Sequence, residues 1–127
     1  MATENLYTGA LKALIVEDDL DICYLLSAIL KQKKILSSFV NTISSAESFL
    51  QSEQPDILIL DNHLPDGLGV EFISYIKENY PSTRIIMITA HSTDIDKNNA
   101  LNKGADYFIG KPFSRAAINS TLENLIN

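Results

Sequence analysis

Asp56–Gly69 reads DILILDNHLPDGLG, and the choice of fold turns on it. Ile57-Leu58-Ile59-Leu60 is a continuous apolar run, too short for a helix and without the polar alternation of a half-exposed strand. It predicts a strand covered on both faces, as in a parallel sheet. The run stops at Asp61, and a loop of turn-forming residues follows. Such a strand delivers one carboxylate to the rim of a sheet. Taken alone, Asp61 is equally compatible with the start of a turn.

The same signature recurs on either side. Ala13–Val16 is an apolar run that ends in Glu17-Asp18-Asp19, and Ile85–Ile88 is one that ends in Thr89-Ala90. Tyr107-Phe108-Ile109 leads into Gly110-Lys111-Pro112-Phe113. Ile35–Val40 is weaker and carries serines, as an edge strand does. Helical patterns fill the gaps. Ile22, Leu25, Leu26, Ile29 and Leu30 form one apolar face over 21–34, with Asp19 or Asp21 as its cap. Ser44-x-x-Glu47 fits a capping box before Ala46, Phe49 and Leu50. Val70, Phe72, Ile73 and Ile76 mark a third helix, closed by Asn79 and Pro81. Thr93–Lys103 is a helix by position although its asparagines lower the propensity, and Gly104 suits its C-terminal end. Ser114 caps a last helix built on Ala117, Ile118, Leu122, Leu125 and Ile126.

Strand and helix alternate five times. That order predicts an α/β single domain: a five-stranded parallel sheet, right-handed crossovers and helices on both faces. Residues 1–10 read as a flexible tail and 11–127 as the domain. A chain of 127 residues suits one core. A net charge of −6 argues against direct nucleic-acid binding, which needs a basic face. Cys23 is the only cysteine, so an intrachain disulfide and a thiolate cluster are excluded; it reads as small core filler. No apolar run approaches the roughly 20 residues that span a bilayer, and the first ten residues do not resemble a signal peptide. The expectation is a cytoplasmic protein.

In a parallel sheet the residues that follow the strands meet at one edge, where ligands of open α/β sheets bind. Here they are Glu17, Asp18, Asp61, Thr89 and Lys111. Each has an ordinary reading alone: a helix cap, a turn, a strand end, a solvated lysine. Their conjunction is harder to explain that way. Clustered carboxylates repel unless a cation joins them, and a hard divalent ion such as Mg²⁺ suits oxygen ligands and accepts phosphate oxygens. An aspartate beside such an ion and a lysine can attack phosphorus.

The sequence resembles the receiver domain of bacterial two-component response regulators. The resemblance covers Leu11 to Asn127 and rests on LIVEDD (Leu14–Asp19), LILDNHLPDGLG (Leu58–Gly69), IIMITA (Ile85–Ala90) and GADYFIGKPF (Gly104–Phe113). It implies a flavodoxin-like sandwich with strand order 2-1-3-4-5. It implies that Asp61 is the phosphoacceptor and that Mg²⁺ (or Mn²⁺) binds Asp18, Asp61, the backbone carbonyl of His63 and, through water, Glu17. It implies that Thr89 is the switch hydroxyl, that Lys111 pairs with the phosphoryl group, and that Phe108 is the switch aromatic while Tyr107 points to the other face. The Lys111–Pro112 bond is expected to be cis, and Pro65 and Gly69 to shape the loop. The implied partners are a histidine kinase or phosphotransfer protein and a downstream output domain or protein. The switching surface would be helix 4, strand 5 and helix 5.

His63 and His91 each follow a site residue by two. They read either as exposed loop residues or as flanking groups that tune the lifetime of an aspartyl phosphate. A metal site on their side chains lacks a third nitrogen or sulfur ligand. The last helix lacks the charges that one large subfamily uses for its symmetric dimer face, so the expected state is a monomer or a weak, phosphorylation-linked dimer. The chain ends after that helix, as a stand-alone receiver or a piece of a longer regulator would. Three other readings compete. An aspartyl-nucleophile phosphatase usually has a second aspartate two residues on, where His63 stands. A protein-binding receiver without phosphorylation would have less need of the complete set. A flavin-binding domain shares only the fold, and no phosphate-cradling glycine loop follows the first strand.

Overall fold

The computed structural model describes residues 10–126. The expected tail therefore lies outside the described residues except for Ala10. Five strands form one parallel sheet: β1 (Lys12–Val16), β2 (Leu36–Val40), β3 (Ile57–Asp61), β4 (Arg84–Thr89) and β5 (Tyr107–Gly110). Their spatial order is β2-β1-β3-β4-β5. Five helices connect or follow them: α1 (Leu20–Gln32), α2 (Ile43–Ser52), α3 (Gly69–Asn79), α4 (Asp94–Lys103) and α5 (Arg115–Ile126).

Strand alternation divides the core in two. Ala13, Ile15, Ile57, Ile59, Ile86 and Ile88 point to one face, where α1 and α5 cover them with Cys23, Leu26, Ile29, Leu30, Ile118 and Leu122. Leu14, Val16, Leu58, Leu60, Ile85 and Met87 point to the other, beneath α2, α3 and α4. The continuous apolar runs have this cause: their residues need two cores, not one. Phe108 packs on the second core and Tyr107 on the first, as alternation requires.

Helix ends follow local chemistry. Asp19 caps α1, its side chain accepting from the N–H groups of Asp21 and Ile22. Lys34 turns the chain out of that helix with φ 61°, so α1 stops short of the expected end. Thr93 and Asp96 form a capping box at α4, and Gly104 leaves that helix with φ 121°. The expected capping box at Ser44 and Glu47 is not the one used. Thr42 caps α2, its hydroxyl accepting from Ser45 N–H. The N–H of Ser44 and that of Ile43 go instead to the carboxylate of Asp66, at 2.9 and 2.8 Å. A carboxylate from a distant loop thus satisfies the orphan donors of a helix start.

Candidate functional site

Register brings the site residues level. Val16 pairs with Leu60, which sets Glu17 beside Asp61. Asp61 pairs with Ile88, so Thr89 stands one residue beyond it. Thr89 pairs with Gly110, which leaves Lys111 next at the rim. Glu17 continues the alternation of Ala13 and Ile15, Asp61 that of Ile57 and Ile59, and Lys111 that of Tyr107 and Ile109. All three therefore lie on the α1/α5 side of the sheet. Thr89 continues Ile85 and Met87, and shares the opposite side with Phe108.

Glu17, Asp61 and Thr89 are buried, whereas Asp18 is exposed. Lys111 Nζ donates to Oε1 of Glu17 at 2.8 Å and to Oδ1 of Asp61 at 3.3 Å. Oε2 of Glu17 accepts from Asp19 N–H at 3.1 Å. Burial raises the Glu17 pKa above the usual carboxylate value, against the opposing pull of Lys111 and Asp19 N–H. For Lys111, burial works to lower the pKa, but the two carboxylates outweigh it and the ammonium is held more firmly than usual.

Glu17, Asp18 and Asp61 each offer an oxygen within 4.8 Å of the others. An all-oxygen set of two buried carboxylates and one exposed carboxylate matches a hard divalent ion and matches thiophilic metals poorly. These residues fit Mg²⁺.

Beyond Asp61, His63–Leu64 and Gly67–Leu68 pair as a small antiparallel hairpin within what the sequence suggested was plain loop. Pro65 and Asp66 form its tip, and Leu64 is buried. Asn62 then ties the loop to α3: its carbonyl accepts from Gly69 N–H at 2.7 Å and its side chain from Val70 N–H at 2.9 Å. A Cβ at Gly69 would collide with the carbonyl oxygen of Asp61. Glycine is thus required by close approach. The Lys111–Pro112 bond is cis.

Thr89 Oγ1 accepts from the N–H of His91 at 3.1 Å. A pocket of about 180 Å³ opens beside it, lined among others by Asn62, Val70, Met87, Asn99 and Phe108. The His63 and His91 rings face each other, with centroids 4.2 Å apart.

The family model for the response regulator receiver domain matches residues 13–123. The chain belongs to that family. Its relatives include the response regulator protein PilR of Pseudomonas aeruginosa, 37% identical over 101 residues that cover 80% of this chain and 23% of PilR. The phosphate regulon transcriptional regulatory protein PhoB of Escherichia coli is 34% identical over 107 residues, 83% of this chain and 47% of PhoB. The chain thus spans from about a quarter to about half of these relatives' lengths. The receiver domain of a LuxO repressor protein from Vibrio parahaemolyticus superposes with a TM-score of 0.87 at 27% identity, covering 93% of this chain and 91% of that one. The beryllofluoride-activated NtrC4 receiver domain gives 0.85 at 35%, covering 90% and 94%. The chain is a two-component receiver domain with the flavodoxin-like fold expected of it. Among the described residues, no helix is long and apolar enough to cross a membrane.

Sequence reading missed three contributors. Asp66 caps α2, Asn62 caps the entry to α3, and the Asn41 side chain donates to the Glu17 carbonyl at 2.8 Å. Asn and Asp next to helix starts carry a capping signal, but the signal does not say that Asp66 serves a helix more than twenty residues upstream.

Proposed function

We propose that this receiver accepts a phosphoryl group on Asp61 from the phosphohistidine of a histidine kinase or phosphotransfer protein, in the cytoplasm. One Asp61 carboxylate oxygen attacks phosphorus, the P–N bond to the donor imidazole breaks, and the imidazole leaves with its electron pair. The observation that carries this reading is the placement of Asp61. It is a buried carboxylate at a strand end, 3.3 Å from Lys111 Nζ and in the carboxylate cluster with Glu17 and Asp18.

Asp18, Asp61 and the His63 carbonyl would hold Mg²⁺ directly, with Glu17 acting through water. When bound, the ion would supply charge neutralisation for the equatorial phosphoryl oxygens. Lys111 gives the phosphoryl group a cation, and Thr89 gives it a hydroxyl donor. To do so, the Thr89 side chain turns toward the phosphoryl oxygen and donates its own hydroxyl hydrogen, which the bond accepted from His91 N–H does not use. The pocket beside Thr89 gives Phe108 room to follow. Movement of these two residues would reshape the surface of α4, β5 and α5, and so control an output domain or partner protein. His63 and His91 flank the entrance and tune how long the phosphoryl group survives.

Incubation with acetyl phosphate and Mg²⁺, read by Phos-tag gel or intact mass, tests the proposal. A Mg²⁺-dependent adduct that disappears in Asp61→Asn is expected. No adduct, or one that survives the substitution, overturns it.

A further inference from the structure

His63 and His91 are the only two histidines in the chain, and the fold brings them together. They come from separate loops, one after β3 and one after β4, and both are exposed. Their ring centroids lie 4.2 Å apart with planes inclined at 37°. The tie between His91 and Thr89 runs through the His91 backbone N–H, so it leaves the imidazole nitrogens out.

We propose that the two imidazoles form a second cation site, for a divalent transition ion such as Zn²⁺ or Ni²⁺, separate from the carboxylate cluster. Imidazole nitrogen suits these ions, whereas carboxylate oxygen suits Mg²⁺, so the neighbouring sites sort cations by ligand type. The ring separation is near what one shared ion needs. Two imidazoles sharing a tetrahedral ion with metal–nitrogen bonds of about 2.0–2.1 Å put their ring centres roughly 5 Å apart. The observed separation is shorter by under about 1 Å, a gap that exposed side chains close by small rotations. Two protein ligands make an open, exchangeable site, completed by water, rather than a closed structural one.

Such an ion would tie the loop after β3 to the loop after β4. It would hold the arrangement in which Thr89 Oγ1 accepts from His91 N–H. The site therefore couples transition-ion availability to the two loops that border Asp61.

Calorimetric titration of the whole chain with ZnCl₂ in excess MgCl₂ tests the site. One equivalent of Zn²⁺ should bind. His63→Ala and His91→Ala should each weaken it about tenfold or more. No Zn²⁺ binding under excess Mg²⁺, or binding that His91→Ala leaves intact, overturns the proposal. Proton NMR of the unaltered chain provides a check free of folding defects. Zn²⁺ should shift or broaden the Hε1 signals of both imidazoles together, and two unmoved signals overturn the proposal as well.

Discussion

Lys111 donates a 2.8 Å hydrogen bond to Glu17 across 94 positions of sequence. It is the cation that makes two buried carboxylates tolerable in the metal-free domain. Removing one member of a buried pair leaves an uncompensated charge. Lys111→Met should therefore cost about 3 kcal/mol of folding stability without divalent ions. Urea denaturation measures it. On the proposed Mg²⁺ site, saturating Mg²⁺ should restore part of the loss, because the ion would neutralise the same oxygens.

Gly69 sits against the carbonyl oxygen of Asp61. Gly69→Ala must push the start of α3 away from the end of β3. Overpacking of this kind costs about 1–3 kcal/mol, and the displaced strand end carries the site carboxylate. The variant should unfold at lower urea and form the acetyl-phosphate adduct more slowly, as intact-mass time courses would record.

Asp66 accepts the first N–H groups of α2, and these bonds hold its carboxyl pKa below the ordinary value of 3.8. A group with a depressed folded-state pKa contributes stability above its unfolded pKa and loses it as pH falls through the folded one. Asp66→Ala should lower Tm at neutral pH. The gap to the unaltered protein should shrink below about pH 3.8 and close beneath the folded-state pKa. Because Asp66 is exposed, solvent screening keeps the effect small. A gap that widens in acid would contradict the assignment.

Cys23 is buried with its thiol donating to the Glu17 carbonyl at 3.3 Å. Burial, reinforced by Glu17, Asp19 and Asp18, pushes its pKa up to about 11. The thiolate is the reactive form. An aromatic disulfide reagent should therefore leave the native protein unmodified at pH 8 and react promptly once urea unfolds it.

His63 and His91 are exposed, follow Asp61 and Thr89 by two residues each, and have ring centroids 4.2 Å apart, which is the basis for the proposed tuning role. Replacing both by alanine should change the rate at which the phosphorylated domain loses its phosphoryl group. Loss of the intact-mass adduct over time measures that rate, and an unaltered rate would remove both residues from the tuning role.

Much of this was legible in the chain because parallel strands leave a strong trace. Ile57–Leu60 and Ile85–Ile88 must fill a core on each face, so they cannot alternate. Five such strands separated by helical patterns imply that their trailing residues share one edge. That logic puts Glu17, Asp61, Thr89 and Lys111 at one edge, where the register also sets them, and family resemblance supplies the order of the strands. The start of α2 departs from that reading because Ser44 and Glu47 have the spacing of a capping box, while the acceptors for the first N–H groups come from Thr42 and Asp66. A local pattern cannot report a partner that arrives from another loop.

The sequence by itself determined the alternation of elements, the buried strands and the residues at their ends, since hydrophobic period and turn chemistry are properties of neighbours along the chain. Only the tertiary structure decided the pairings. Lys111 spans Glu17 and Asp61, Asp66 caps α2, Gly69 presses on Asp61, and His63 meets His91. Each depends on strand register and crossover geometry, which set distances between residues far apart in sequence.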